Sequence, residues 1–234
     1  MPSVLFSGTD VNIQRGAGFL ADNVAKSRGG WLAITDFSVP FQQGMAEFTP
    51  AGDSYRGIDT EESSAGNIDH YAGGTTTDIT TIATGSYTGW LFFAEVQVLD
   101  STACTVYWRK AGESTLQSAT SDSGDFTDQQ TWVIGSAFGS NAAMKARSWW
   151  YTAGALTEAQ VLAISQDLTL AALTGQNSVL LLNDHTTAGV NAGTGGNFTI
   201  NGTLSTAADE PNAALPSGAA ASPQSRALAF AANF

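Results

Sequence analysis

The sequence predicts an all-β protein, two antiparallel sheets packed as a sandwich, with one short accessory helix near residues 158–173. Three observations carry this. Runs rich in β-branched and aromatic residues recur between clusters of Gly, Asp, Asn and Ser, which is the pattern of many short strands joined by turns. One segment, "ALTEAQVL", has the marks of a helix start. Sustained helical periodicity is missing elsewhere.

The strand signal is clearest in "GWLFFAEVQVLD". Strand side chains alternate, so Trp90, Phe92, Ala94, Val96 and Val98 share one face and Leu91, Phe93, Glu95, Gln97 and Leu99 the other. The first face is core. The second is mixed, as in a sheet covered by loops at one end and wet at the other. Further strands are expected in "WLAITDFSV", "TDITTIA", "CTVYWRK", "TWVIGSAF", "AMKARSWWY", "SVLLLN" and "FTINGTL". After Gly154, Thr157 can cap a helix with Gln160 three residues on, and Leu156 can pack against Val161 as a hydrophobic staple. The pattern weakens through "ISQDLTLAAL" and stops by Gly175.

From about Ser205 the chain changes character: "STAADEPNAALPSGAAASPQSRALAFAANF" is rich in Ala, Ser and Pro and lacks alternation. The sandwich domain is therefore assigned to residues 1–205 and an Ala/Pro/Ser-rich extension to 206–234. Within the extension, Leu215, Leu228, Phe230 and Phe234 are separated by alanines and prolines. They suit an extended arm lying in grooves of the body or, as preferred here, of a neighbouring subunit. The expected assembly is a homo-oligomer, cyclic in its simplest form, with a trimer as one candidate.

Composition narrows the partners. At 234 residues, one β-sandwich domain accounts for the chain. Nine basic against 21 acidic side chains leave a net charge of −12, which repels a phosphate backbone, so no nucleic-acid partner is expected. Cys104 is the single cysteine. It excludes an internal disulfide framework and a cysteine-based zinc site, and in "TACTVYW" it reads as a small buried residue. "MPSVLFSGTD" has neither the basic region nor the apolar core of a secretory signal, and no stretch approaches the ~18 apolar residues of a membrane span. A soluble product made in a cytoplasm, without membrane insertion, is the expectation.

Taken in order, "GSYTGWLFFAEVQVLDSTACTVYWRKAGES", "TWVIGSAF" and "AMKARSWWYTAGALTEAQVLAI" resemble the concanavalin A-like, laminin G-like jelly-roll family. In that family a Trp-led strand precedes a Tyr strand ending near a glycine, then an "iG" strand, then a strand running into "aLteaei". The resemblance covers roughly residues 85 to 166. Downstream, "LLLNDHTTAGVNAGTGGNFTINGTL" looks like segments that accompany this domain in tailed-bacteriophage virion proteins. The resemblance implies a two-sheet jelly roll and a structural virion protein (capsid decoration, head or tail component), made in the host cytoplasm and working by self-association and attachment to the particle and its other proteins. The alternative is a carbohydrate-binding, lectin-like module for host-surface adhesion.

Candidate sites follow. If "AMKARSWWY" alternates without interruption, Met144, Ala146, Ser148 and Trp150 face the core, while Lys145, Arg147, Trp149 and Tyr151 face away. Trp149, flanked by cations, is then an interface anchor or a sugar-stacking face, and Arg147 and Tyr151 stand with it. Hydrolases and lyases occur on the resembled fold, yet the Glu-x-Asp-x-x-Glu arrangement of jelly-roll glucanases is absent, and Phe93 and Gln97 stand where Glu95 would need an acid partner. No catalytic role, and no cofactor, is expected. His70 in "NIDHYAGG" and His185 in "LNDHTTAG" read as isolated turn histidines. "SDSGDFTD" (Asp122, Asp125, Asp128) and "DSYRGIDTEE" (Asp53, Asp59, Glu61, Glu62) read as solvated turns, with calcium as the alternative occupant. The glycines of "RGAGFL" and "NAGTGGNF" read as turns that need positive φ rather than phosphate loops.

Overall fold

A computed structural model describes residues 2–16, 25–39, 42–48, 55–60, 66–73, 78–98, 103–122, 131–136 and 139–214. Its strands form two antiparallel layers. Sheet one runs β10 (Gln117–Asp122), β9 (Ala103–Lys110), β8 (Leu91–Gln97), β3 (Lys26–Ile34), β12 (Asn141–Ala153), β1 (Ser3–Thr9) and β15 (Leu204–Ala207). Sheet two runs β7 (Asp78–Ala83), β6 (Ile68–Gly73), β5 (Tyr55–Thr60), β4 (Gln42–Phe48), β11 (Thr131–Gly135), β2 (Asn12–Arg15) and β14 (Thr199–Asn201). One parallel bridge between Asn141 and Gln42 links the layers at a corner. The short β13 (Ser178–Leu180) pairs with the second half of β12, beyond the reach of β1.

The layers enclose a core of Val4, Phe6, Leu32, Ile34, Leu91, Phe93, Met144 and Trp149 from sheet one against Ile13, Met45, Ile58, Ile68, Trp132 and Ile134 from sheet two. A second core lies on the other side of sheet one. There Trp31, Phe92, Ala94, Val96 and Trp150 are covered by Leu156, Val161, Ile164, Leu170 and Leu173. The central strands of sheet one are therefore buried on both faces, and every residue of β3 and β8 is buried. The face of β8 expected to be the sandwich core (Trp90, Phe92, Ala94, Val96) is the helix-covered one. The mixed face is the one that meets sheet two.

Helix α1 (Glu158–Ser165) starts where the capping box places it. The Gln160 N–H donates to Thr157 Oγ1 at 3.3 Å and the Thr157 N–H to Gln160 Oε1 at 2.8 Å, which satisfies two of the helix's orphan donors. The helix ends at Ser165; of the rest of the expected span, residues 166–170 are turn or irregular and only Ala171–Leu173 form a 3-10 turn. Arg109 closes its C-terminus: Nη2 donates to the carbonyls of Ser165 (2.8 Å) and Ala213 (2.6 Å), and Nε donates to Ser165 Oγ (2.8 Å). Its guanidinium lies over the Trp31 ring at 4.9 Å. Burial pulls Arg109 down to about 10, opposed by the Glu113 carboxylate, so it remains a cation at neutral pH against the carbonyl end of the helix.

One boundary moves. The body does not stop at Ser205: β15 extends to Ala207, Asp209 accepts from Lys145 Nζ (2.6 Å) and Trp90 Nε1 (3.3 Å), and Ala213 sits in the second core. Residues 206–214 thus belong to the sandwich, and Leu215, Leu228, Phe230 and Phe234 lie outside the described residues. The glycines of "NAGTGGNF" are also explained differently. Gly193 and Gly195 do not have positive φ; a Cβ there would meet the Gln176 carbonyl at 2.3 Å and Arg15 Nη1 at 2.2 Å, so close backbone approach is what demands glycine.

A buried polar cluster as candidate functional site

Strand β12 decides where the expected surface residues go. Between Arg147 and Trp150 its register against β3 shifts, and Ser148 takes φ 55. This is a β-bulge, and one extra residue reverses the facing of everything beyond it. The Ser148 N–H donates to the Leu181 carbonyl at 3.0 Å and its hydroxyl to the Leu168 carbonyl at 2.7 Å, holding the kink in place. Met144 and Ala146 face sheet two as expected; after the bulge Trp149 and Tyr151 do so too, and Trp150 turns under α1.

The outward reading of Trp149 and Tyr151 is therefore corrected, while Arg147, before the bulge, keeps its facing away from sheet two but is buried against Leu181 and Glu210 instead of exposed. Trp149 is 0% exposed, Tyr151 1% and Arg147 2%. The Trp149 indole lies flat against β3 where Gly30 leaves room: a Cβ on Gly30 would meet the ring at 2.4 Å. Its Nε1–H donates to the Trp31 carbonyl at 3.0 Å. Tyr151 meets Trp132 edge-on at 5.2 Å between centroids. Arg147 donates through Nη1 to the Leu181 carbonyl, and its Nε stands 4.0 Å from Glu210. Burial lowers the Arg147 pKa, partly opposed by Glu210.

The residues that do converge come from elsewhere. On β3 the inward positions change along the strand from Ile34, Leu32 and Gly30 to Arg28, and Arg28 lies directly across from Glu95 on β8. Arg28 Nη2 donates to Glu95 Oε2 at 2.9 Å. From the opposite layer, His70 of β6 brings Nε2 to 3.2 Å from the same oxygen, its ring stacked on Phe93 at 5.7 Å. Cys104 on β9 completes the group. None of these four side chains is more than 2% exposed. A carboxylate in this setting must be compensated, and Arg28 and His70 supply the compensation. His70 is thus a strand residue inside the sandwich, not a turn histidine.

The other candidates stay apart. Asp59 of β5 and Asp69 of β6 pair directly across the strands, on the face opposite to Ile58 and His70, and are 5% and 1% exposed, so Asp59 is not a solvated turn acid. Tyr71 shares their face, its pKa raised by burial and then by the Asp59 carboxylate. Asp53, Glu61, Glu62, Asp125 and Asp128 lie outside the described residues, and Asp122 ends β10. His185 is exposed in a 3-10 turn (His185–Thr187), with Nδ1 2.7 Å from Thr206 Oγ1.

No protein-family model and no curated protein matches the sequence. Solved structures do match in shape. A sialidase of Trypanosoma rangeli in complex with a difluoro-KDN superposes with a TM-score of 0.52 at 11% identity, over 68% of this chain and 26% of that one. A heptameric SAP-like pentraxin from Limulus polyphemus aligns over 88% of both chains at 10% identity, with a TM-score of 0.49. The LG1-3 region of the laminin alpha2 chain aligns over 65% of this chain and 34% of that one at 9% identity, with a TM-score of 0.44. The chain spans about a quarter of the sialidase it matches. With two antiparallel sheets packed as a sandwich and one short α-helix among the described residues, the protein has a concanavalin A-like jelly-roll fold, which it shares with the part of the sialidase it superposes on.

Proposed function

We propose that the chain is a non-catalytic structural component of a tailed-bacteriophage virion, made in the host cytoplasm, that acts by self-association and attachment to the particle. The phage setting rests on the sequence resemblance alone. The observation that supports assembly over sugar binding is where the large aromatics lie. Of the six tryptophans, Trp31, Trp90, Trp132, Trp149 and Trp150 are buried and Trp108 is half-buried against the inter-sheet core. Among residues whose side chains the structure describes, the exposed large hydrophobics are Val98, Val190 and Ile200, which make no stacking platform for a sugar ring.

Recognition through the C-terminal segment fits this body. Residues 215–234 carry few apolar side chains, too little to offset the ~1–2 kcal/mol of backbone entropy lost per ordered residue without a groove to lie in. Leu228, Phe230 and Phe234 are the anchors such an arm offers to a second copy. The test is light scattering on the full chain and on a chain truncated after Ala214, which keeps β15 and the Arg109 contact to Ala213. The expected result is a multimer that falls to monomer mass on truncation with its melting temperature nearly unchanged. A full-length monomer, or a multimer indifferent to truncation, contradicts the arm; retention of the full chain on cell-surface polysaccharide favours the adhesion reading instead.

A further inference from the structure

We propose that His70, Glu95 and Cys104 form a binding site for one borderline-soft divalent transition-metal ion, zinc by the chemistry of the donors, and that this ion ties the two sheets together. One ligand atom from each residue lies within 4.8 Å of the other two. The donors come from β6 in sheet two and from β8 and β9 in sheet one, so an ion among them bridges the layers.

The donor set selects the ion. A thiolate, an imidazole and a carboxylate are zinc ligands at ~2.0–2.3 Å, whereas calcium and magnesium take oxygen. Tetrahedral coordination at that radius separates ligand atoms by roughly 3.3–3.8 Å. His70 Nε2 and Glu95 Oε2 already stand 3.2 Å apart, so rotation of the side chains, Cys104 included, closes the rest. Three protein donors leave the fourth position to a water molecule.

The surroundings are those of a supported site. Arg28 holds Glu95 Oε2 at 2.9 Å, fixing the carboxylate as an outer partner of a ligand does. The Phe93 ring stacks on His70 and sets its plane. Binding releases the Cys104 proton, and the dication together with Arg28 then faces two anionic ligands in a low-dielectric interior. A single cysteine excludes a zinc site built from cysteines, as the sequence reading held, but not a mixed one, and the sequence hides the mixed site because Cys104 meets its histidine and carboxylate partners only through the sheets. The inference is independent of the assembly proposal.

Because all three donors are buried, the ion has to enter during folding. The wild-type chain is refolded from denaturant under reducing conditions with one equivalent of cobalt(II), a spectroscopic stand-in for zinc, and in parallel with chelator. The expected result is about one retained equivalent, a near-ultraviolet thiolate-to-cobalt charge-transfer band, and a melting temperature raised by roughly 5 °C or more over the chelated sample. Cys104→Ala abolishes the band, and Cys104→Ala and His70→Gln each weaken retention by at least about tenfold. A wild-type sample with no band and no retained cobalt overturns the site, and needs no variant to fold. Equal retention by Cys104→Ala also overturns it, by placing the metal at an exposed group such as His185.

Discussion

Trp149→Ala lowers the stability of the folded chain by about 3–5 kcal/mol, the cost of emptying a large aromatic site in a packed core. At this chain length that is a fall of roughly 10 °C in melting temperature. The indole fills the space above Gly30 in the inter-sheet core, and its departure also removes the donor to the Trp31 carbonyl. Thermal and urea unfolding followed by circular dichroism measure the effect. An exposed interface tryptophan behaves the opposite way, losing oligomer mass at constant melting temperature, and that pattern in Trp149→Ala is incompatible with the bulge at Ser148.

Glu95→Ala is the second large effect. It strands the Arg28 guanidinium at 1% exposure without the carboxylate opposite it, and breaking a buried pair from one side costs about 3–5 kcal/mol. Replacing both members by apolar residues of similar size, Arg28→Met with Glu95→Leu, recovers most of that loss, because neither charge of this pair is then left without the other. Unfolding is measured in chelator, so that metal plays no part. If the single and double variants unfold alike, the cost lies in packing and not in the charge of Arg28.

The sequence and the structure agree where the signal is local. The Thr157–Gln160 box spans three residues and places the helix start; the alternation in residues 90–98 places β8. Agreement fails where one residue changes the parity of a long strand. Nothing in "ARSWWY" marks Ser148 as the residue that takes φ 55, since serine is not the residue expected in the left-handed region. Every facing assigned beyond it was inverted as a result. The polar cluster was illegible for another reason: Glu95 lies 67 positions from Arg28 and 25 from His70, and only strand pairing and layer packing bring them together. "NIDHYAGG" carries Asp and Gly and reads as a turn, yet its residues Ile68–Gly73 form strand β6, paired on both sides. Residues 206–214 look like linker by composition, but Lys145 and Arg109 gather them onto the body.

Acrylamide quenching of tryptophan emission in the native full-length protein probes the closed, three-layer body in one titration. All six tryptophans lie among the described residues, with Trp31, Trp132, Trp149 and Trp150 at 1% exposure or less, Trp90 at 8% and Trp108 half-buried, so at most one contributes a partly accessible component. The expected emission is blue-shifted and weakly quenched, rising to the quenching of free indole only on unfolding, and unmoved by added polysaccharide. A red-shifted component that is strongly quenched in the native state, and protected when polysaccharide is added, contradicts the burial of both faces of the central strands of sheet one and the assembly reading built on it.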